Sequence, residues 1–308
     1  MEKIKVCEPR ENKFSPEQRM LFTSLANGEL KKSSQYPEGR IEPELILTHG
    51  SNLVAQGQYK WSGNCCHLQY DVLSDYLIAK KILGINSLII KPSSNLCNQI
   101  LKHLGANIIP GEIPSDSAQV CIPSQEGEFI SVQNPWRHGG HHHSFISNLI
   151  KENLSNLITN TEQTRNIIIY RRVRSRVFNR NIHNILEFRQ EISEKYGQEF
   201  EIVDIEMLDL AGQINLFNSA KTIISPHGSG LVWLNFCRPN TKCIEIFNSF
   251  FVNRETYPRY DFWISANQNN VNYTPLFVED CVGDPEDPYE LNLRVNVDHI
   301  NRILNGNI

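Results

Sequence analysis

The sequence predicts an α/β protein in two halves of similar size, each built on a parallel sheet. Three observations predict it. Short apolar, β-branched runs alternate with amphipathic helical stretches in both halves, the pattern of parallel strands joined by helical crossovers. Helical stretches stop on glycines, at Gly84, Gly105 and Gly197. A polar run over residues 159–165 interrupts the alternation, which places a domain boundary near Asn160 and divides the chain into 1–160 and 161–308, with a cleft expected between the halves.

The elements follow in order. The first forty residues are polar and irregular, with a turn at Pro37-Glu38-Gly39, and read as a surface lead-in. Strands are predicted at 44–47 and 58–61. A helix over 67–83 presents Leu68, Val72, Leu73, Tyr76, Leu77 and Ile78 on one face and ends at Gly84. A strand at 87–90, a helix at 95–104 stopped by Gly105, and a strand at 106–109 come next. Residues 127–143 break the rhythm with Asn134-Pro135-Trp136 and Gly139-Gly140, and a helix over 144–158 follows. The alternation then restarts with a strand at 166–170, a helix at 182–196 stopped by Gly197, a strand at 200–205 and a helix at 208–220. The stretch SAKTIISPHGSGLVWLNFCRPNTKCIEIF reads as a strand at 222–225, a glycine turn at 226–230, an apolar helical turn at 231–236 and a second strand at 243–247 carrying one carboxylate, Glu245. An acidic loop over 283–288 and a last helix over 296–304 close the chain. There is no internal repeat and no low-complexity tract.

Composition narrows the function classes. Of 308 residues, 40% are hydrophobic and 21% charged, an ordinary globular balance. A net charge of -4 lacks the basic footprint of a nucleic-acid binder. The opening MEKIKVCEPRENKFSPEQ has no apolar segment, so neither signal peptide nor anchor is expected, and no later run reaches the ~18 apolar residues of a membrane span. The 8 cysteines form no CxxC pair and several sit in apolar runs, which suits reduced, buried thiols and a cytoplasmic protein.

Four places carry possible chemistry. At Pro226-His227-Gly228-Ser229-Gly230 the glycines after a parallel strand let a ligand approach the backbone, and the first amides of the next helix face it, an arrangement that binds phosphate. The alternative is a plain strand-to-helix connection. Arg171, Arg172, Arg174 and Arg176 follow directly after the strand at 166–170, where guanidinium groups suit phosphate oxygens; a solvated basic loop is the other reading. Asn179 either joins that site or caps the next helix. His67 and Asp71, four apart, share one face at a helix start, either as a general base and its partner or as a capping pair. His138-Gly139-Gly140-His141-His142-His143 reads as a mobile surface or cleft-lining loop, with a metal site as the alternative. A DxD metal-diphosphate signature is not evident, and Gly283-Asp284-Pro285-Glu286-Asp287 reads as a turn.

Taken together these motifs resemble a known family. HGSGLVWLNF followed by CIEIF resembles the histidine-glycine-alanine-glycine-leucine signature of glycosyltransferase family 61, which includes capsular polysaccharide enzymes and eukaryotic xylosyl- and N-acetylglucosaminyltransferases. DLAGQINLFNSAKTII, IIIYRRVRSRVFN and GNCCHLQYDVL resemble three further family segments, in the family's order. Ser229 stands where alanine is usual, Val232-Trp233 where threonine-asparagine is usual, and the helix after His67 lacks the family's proline.

The resemblance implies a GT-B-like arrangement, two Rossmann-like domains facing across a cleft with the nucleotide-sugar in the carboxyl half. It implies an inverting transfer of sugar from a nucleotide-sugar, UDP-linked, to a glycan or protein-linked glycan acceptor. Asp71 is then the base, oriented by His67. Arg171, Arg176, Asn179, His227, Gly228, Ser229, Gly230 and Leu231 then line the nucleotide-sugar site, and Glu245 bonds the ribose hydroxyls. No metal cofactor is required on this reading, although a divalent cation remains compatible with it. Two competitors stand beside it. One is a non-catalytic nucleotide-sugar-binding protein on the same scaffold. The other is a Rossmann oxidoreductase, for which Gly228-x-Gly230 lacks the third glycine and lies late in the chain.

Overall fold

The structure, a computed structural model, describes residues 44–49, 52–54, 65–73, 76–77, 80, 84–90, 94–111, 118–122, 144–159, 162–170, 181–248, 261–278, 281–282 and 292–304. These fall into two compact units. The amino-terminal unit holds the described residues of Phe14–Ile158 and Tyr260–Gln268; the carboxyl-terminal unit holds those of Thr159–Arg259 and Asn269–Ile308. The chain therefore crosses between units more than once, because helix α5 (Asp261–Gln268) is grouped with the amino-terminal unit.

In the amino-terminal unit, strands β1 (Glu44–His49), β2 (Asn52–Val54), β3 (Ser87–Ile90), β4 (Asn107–Pro110) and β5 (Ala118–Ile122) form one sheet in the order β4-β3-β2-β1-β5. β2, β3 and β4 run parallel. β1 is antiparallel to both β2 and β5, so this sheet is mixed and not wholly parallel as expected. The reason lies in the two-residue link Gly50-Ser51: His49 pairs with Asn52, and a link that short allows only an antiparallel return. The strand expected at 58–61 lies outside the described residues.

Helix α1 (Asn95–His103) starts where the Ser94 hydroxyl accepts from the Cys97 amide at 3.2 Å. It ends before Gly105, whose φ of 69° is left-handed and cheap only for glycine. The helix expected from residue 67 is a short α-turn, Cys65–His67, that passes into a π-helix, Leu68–Leu73. Leu68, Val72, Leu73, Tyr76 and Leu77 are buried, as the apolar face required. Helix α2 (Ser144–Leu154) continues into a short 3-10 turn, Ser155–Leu157.

The carboxyl-terminal unit is the more regular. Strands β6 (Arg165–Tyr170), β7 (Glu201–Asp204), β8 (Ala220–Pro226), β9 (Lys242–Asn248) and β10 (Asn272–Val278) form a fully parallel sheet in the order β10-β9-β8-β6-β7. The chain enters at β6, moves outward to β7, and returns past β6 to β8. From there it continues outward to β10, so the direction of winding reverses between β6 and β8. Open α/β sheets bind ligands at the carboxyl ends of the two strands flanking such a reversal. Here those ends are Tyr170 and Pro226. Pro275, which has no amide to donate, sits in the edge strand β10.

Helices α3 (Ile185–Tyr196) and α4 (Leu210–Ser219) connect these strands, and α6 (Val297–Leu304) closes the described chain. Ile168, Ile224, Ile244 and Ile246 from one face of the sheet form a core with Phe188 and Ile192 of α3 and Val297 and Ile300 of α6. The short pair β11 (Cys281–Val282) and β12 (Asn292–Leu293) leads into α6. Asn184 ties this tail down: its amide donates to the Val295 carbonyl at 2.9 Å, and its carbonyl accepts from the Val295 amide at 3.0 Å. Asn184 is the residue at the start of α3.

Candidate functional site

The residues that end β8 and β9 build a buried polar cluster. Side chains alternate along a strand, so Glu245 points away from Ile244 and Ile246, onto the face opposite their core. Ser225 is its register partner on β8, and Phe247 and Phe277 are register partners on β9 and β10. Just past Pro226, His227 extends the ladder by donating its amide to the Ile246 carbonyl at 2.9 Å. That bond places the imidazole beside Glu245.

Glu245 is 1% exposed and His227 4% exposed. His227 Nδ1 lies 2.5 Å from Glu245 Oε1. The second oxygen, Oε2, accepts from the Tyr273 hydroxyl of β10. The ring of His227 stacks on Phe247 at 4.9 Å, and Phe247 stacks on Phe277 at 5.3 Å. Both oxygens of Glu245 are therefore engaged within the protein. Glu245, expected at the ribose hydroxyls, is thus buried between His227 and Tyr273.

After His227 the chain forms a 3-10 helix, Ser229–Phe236, where an ordinary helical turn was expected. Gly228 is extended (φ 171°), a conformation open to any residue. A Cβ at Gly230 would lie 3.3 Å from the end of the Ile205 side chain, which would have to give by a few tenths of an ångström. Leu231 is fully buried, so its side chain belongs to the core and not to a ligand surface. Trp233 and Asn235 are fully buried beneath the turn. Trp233 Nε1 donates to Gln213 Oε1 at 2.5 Å, and Gln213 Nε2 donates in turn to the carbonyls of Ile205 and Leu208, each at 3.1 Å. Gln213 thus couples the first turn of α4 to the segment that carries Gly228, Ser229 and Gly230. Asn218, at the other end of α4, donates to the Phe236 carbonyl at 3.1 Å.

The remaining predicted site residues are placed less fully. Arg171, Arg176 and Asn179 follow Tyr170, the carboxyl end of β6, but lie outside the described residues, as do the histidines at 138–143 and the acidic turn at 283–287. His67 ends the short α-turn and Asp71 lies in the π-helix, and only their backbones are described. Insertions of this helix type recur at functional sites. Among the described residues, no three His, Cys, Asp or Glu side chains gather as metal ligands do, and no helix is long and apolar enough to cross a membrane.

Comparison with known proteins bears on this arrangement. The pattern of the family described as Glycosyltransferase 61 matches residues 66–244, more than half of the 308-residue chain. The chain belongs to glycosyltransferase family 61. No curated relative matches it. The family 61 span runs from the segment of His67 and Asp71, through Gln213 and the 227–231 motif, to the residue before Glu245. Tyr273 lies beyond it, and sequence reading missed it. Its hydroxyl meets Glu245 only because β10 joins β9 in parallel, a pairing that the residues of NYTPLFV do not reveal by themselves.

Proposed function

We propose that this family 61 glycosyltransferase is an inverting enzyme. It moves a sugar from a UDP-linked donor to a glycan or protein-linked glycan acceptor, and its two units are the lobes of a GT-B enzyme. The observation that carries the proposal is the carboxyl edge of the parallel sheet. His227 is held there by a buried carboxylate at the end of β8, next to the strand from which the arginine run departs, at the winding reversal where nucleotides bind in such sheets.

The chemistry asked of the site is one displacement. An acceptor hydroxyl attacks the anomeric carbon from the face opposite the diphosphate, and the bond from that carbon to the phosphate oxygen breaks. The hydroxyl proton passes to Asp71, which His67 orients. The nucleoside diphosphate leaves with added negative charge. Arg171, Arg176, His227 and the amides of Ser229 and Gly230 stabilise that charge, with Asn179 as a further polar contact. Fixed donors of this kind act in place of a metal ion.

Asp71→Asn tests the base. The variant is expected to lose sugar transfer while its calorimetric affinity for UDP stays close to that of the parent. Normal turnover by Asp71→Asn removes the base. Product of retained anomeric configuration, read by NMR, overturns the inverting mechanism.

A further inference from the structure

Resting on the donor-site reading above, we infer that Asp204 is a specificity-determining residue. Its carboxylate, at the carboxyl end of β7, accepts the ribose hydroxyls of the nucleoside diphosphate.

Five residues end the strands of the parallel sheet: Tyr170, Asp204, Pro226, Asn248 and Val278. Pro226, Asn248 and Val278 are buried, and Tyr170 and Asp204 are half-buried. Of the two that reach solvent, Asp204 alone carries a charge. They are register partners on neighbouring strands, so they stand side by side next to the winding reversal. In nucleotide folds wound this way a carboxylate near the reversal binds the ribose hydroxyls. Position relative to the glycine turn supports the same assignment. Ile205, the residue after Asp204, lies against Gly230, where an added Cβ would meet its side chain at 3.3 Å. Gln213 bonds the carbonyls of Ile205 and Leu208 and the indole of Trp233, so the turn after β7 and the segment after β8 are held together. β7 lies two strand spacings from β8, about 10 Å, a span that a nucleoside diphosphate covers between its phosphates and its ribose. Charge separates the two ends of the ligand. A carboxylate repels phosphate and suits an uncharged group that offers protons, as the ribose diol does. Asp204 Oδ1 accepts from the Glu206 amide at 3.1 Å, which sets the direction of the carboxylate. Two carboxylate oxygens offer about four acceptor positions, so hydroxyls can be received with that bond intact.

The test is calorimetry of the full chain with UDP, 2′-deoxy-UDP and inorganic pyrophosphate. None of these carries the transferred sugar, so a change reports on the nucleoside or on the phosphates. The parent is expected to bind UDP about tenfold more tightly than 2′-deoxy-UDP. Asp204→Asn, which keeps an oxygen for the Glu206 amide, is expected to lose about tenfold in UDP affinity and most of the preference over 2′-deoxy-UDP. Its affinity for pyrophosphate is expected to match that of the parent. If Asp204→Asn does not fold, Asp204→Ser, whose hydroxyl can also accept from that amide, gives the same reading. Unchanged UDP affinity in the variant, or a preference for UDP as large as the parent's, overturns the role of Asp204 while the donor site stands. An equal loss for pyrophosphate makes Asp204 a structural residue and also overturns it. Failure of the parent to bind UDP at all overturns the donor-site reading, and this inference with it.

Discussion

A carboxylate inside a parallel sheet is costly, and Glu245 is tolerated there because donors from the neighbouring strands reach both of its oxygens. Its effect spreads to the next inward-facing position on the same strand. Burial pushes the Cys243 thiol well above its ordinary range, and the charges of Glu245 and Cys237 add to the rise. Cys243 therefore stays a thiol and a poor nucleophile. In the native protein it is expected to resist iodoacetamide at mildly alkaline pH while the half-buried Cys65 and Cys66 react, as peptide mass spectrometry will show. Early labelling of Cys243 contradicts this packing. At this scale the sequence was legible for residue types and less so for roles. The lone carboxylate of CIEIF stood out, but its partners come from a turn 18 residues before it and a strand 28 residues after it. Such pairs exist only once strand order and register are known.

At the scale of elements, the strands and helices of the carboxyl-terminal unit were legible because each apolar run is short and each break is marked. Gly197 ends α3 with φ 58°, and Asp209 caps α4 by accepting from the Gly212 amide at 2.7 Å. Other features were not legible. The apolar run after Gly230 fits an α-helix by composition, yet it forms a 3-10 helix held by Gln213 and Asn218 from α4. The π-helix at Leu68–Leu73 leaves no mark in a hydrophobic pattern that an α-helix would also satisfy.

Strand pairing also carries a pH signature. Arg165 of β6 meets Glu201 of β7 through two bonds of 3.1 and 2.6 Å, with both side chains over a third exposed. The Arg165 hydrogen bonds hold the Glu201 carboxyl below its ordinary range; burial opposes this and the Arg165 charge adds to it. The folded state thus binds that proton less tightly than the unfolded chain. Its contribution is full above the unfolded carboxyl's titration range and is lost as pH falls through the lower folded value. Glu201→Gln is expected to lower stability at neutral pH by at most about 1 kcal/mol, given the exposure, with the gap closing in acid. Denaturant melts at several pH values check this, and a gap that widens in acid contradicts it.

For the whole molecule, the parallel sheet of the carboxyl-terminal unit follows from alternating strands and helices, whereas the mixed sheet of the amino-terminal unit turns on one two-residue link, Gly50-Ser51. Local composition favours a class of fold; a single short connection decides the direction of a strand. If fixed cations and amides neutralise the diphosphate, transfer is expected to survive a chelator, and complete loss restored by manganese contradicts that part. The most direct measurement is a crystal structure of the full chain with UDP. The account predicts the diphosphate at the carboxyl ends of β6 and β8, within hydrogen-bonding reach of His227 and the Ser229 and Gly230 amides. UDP bound at any other place, or absent at saturating concentration, contradicts it.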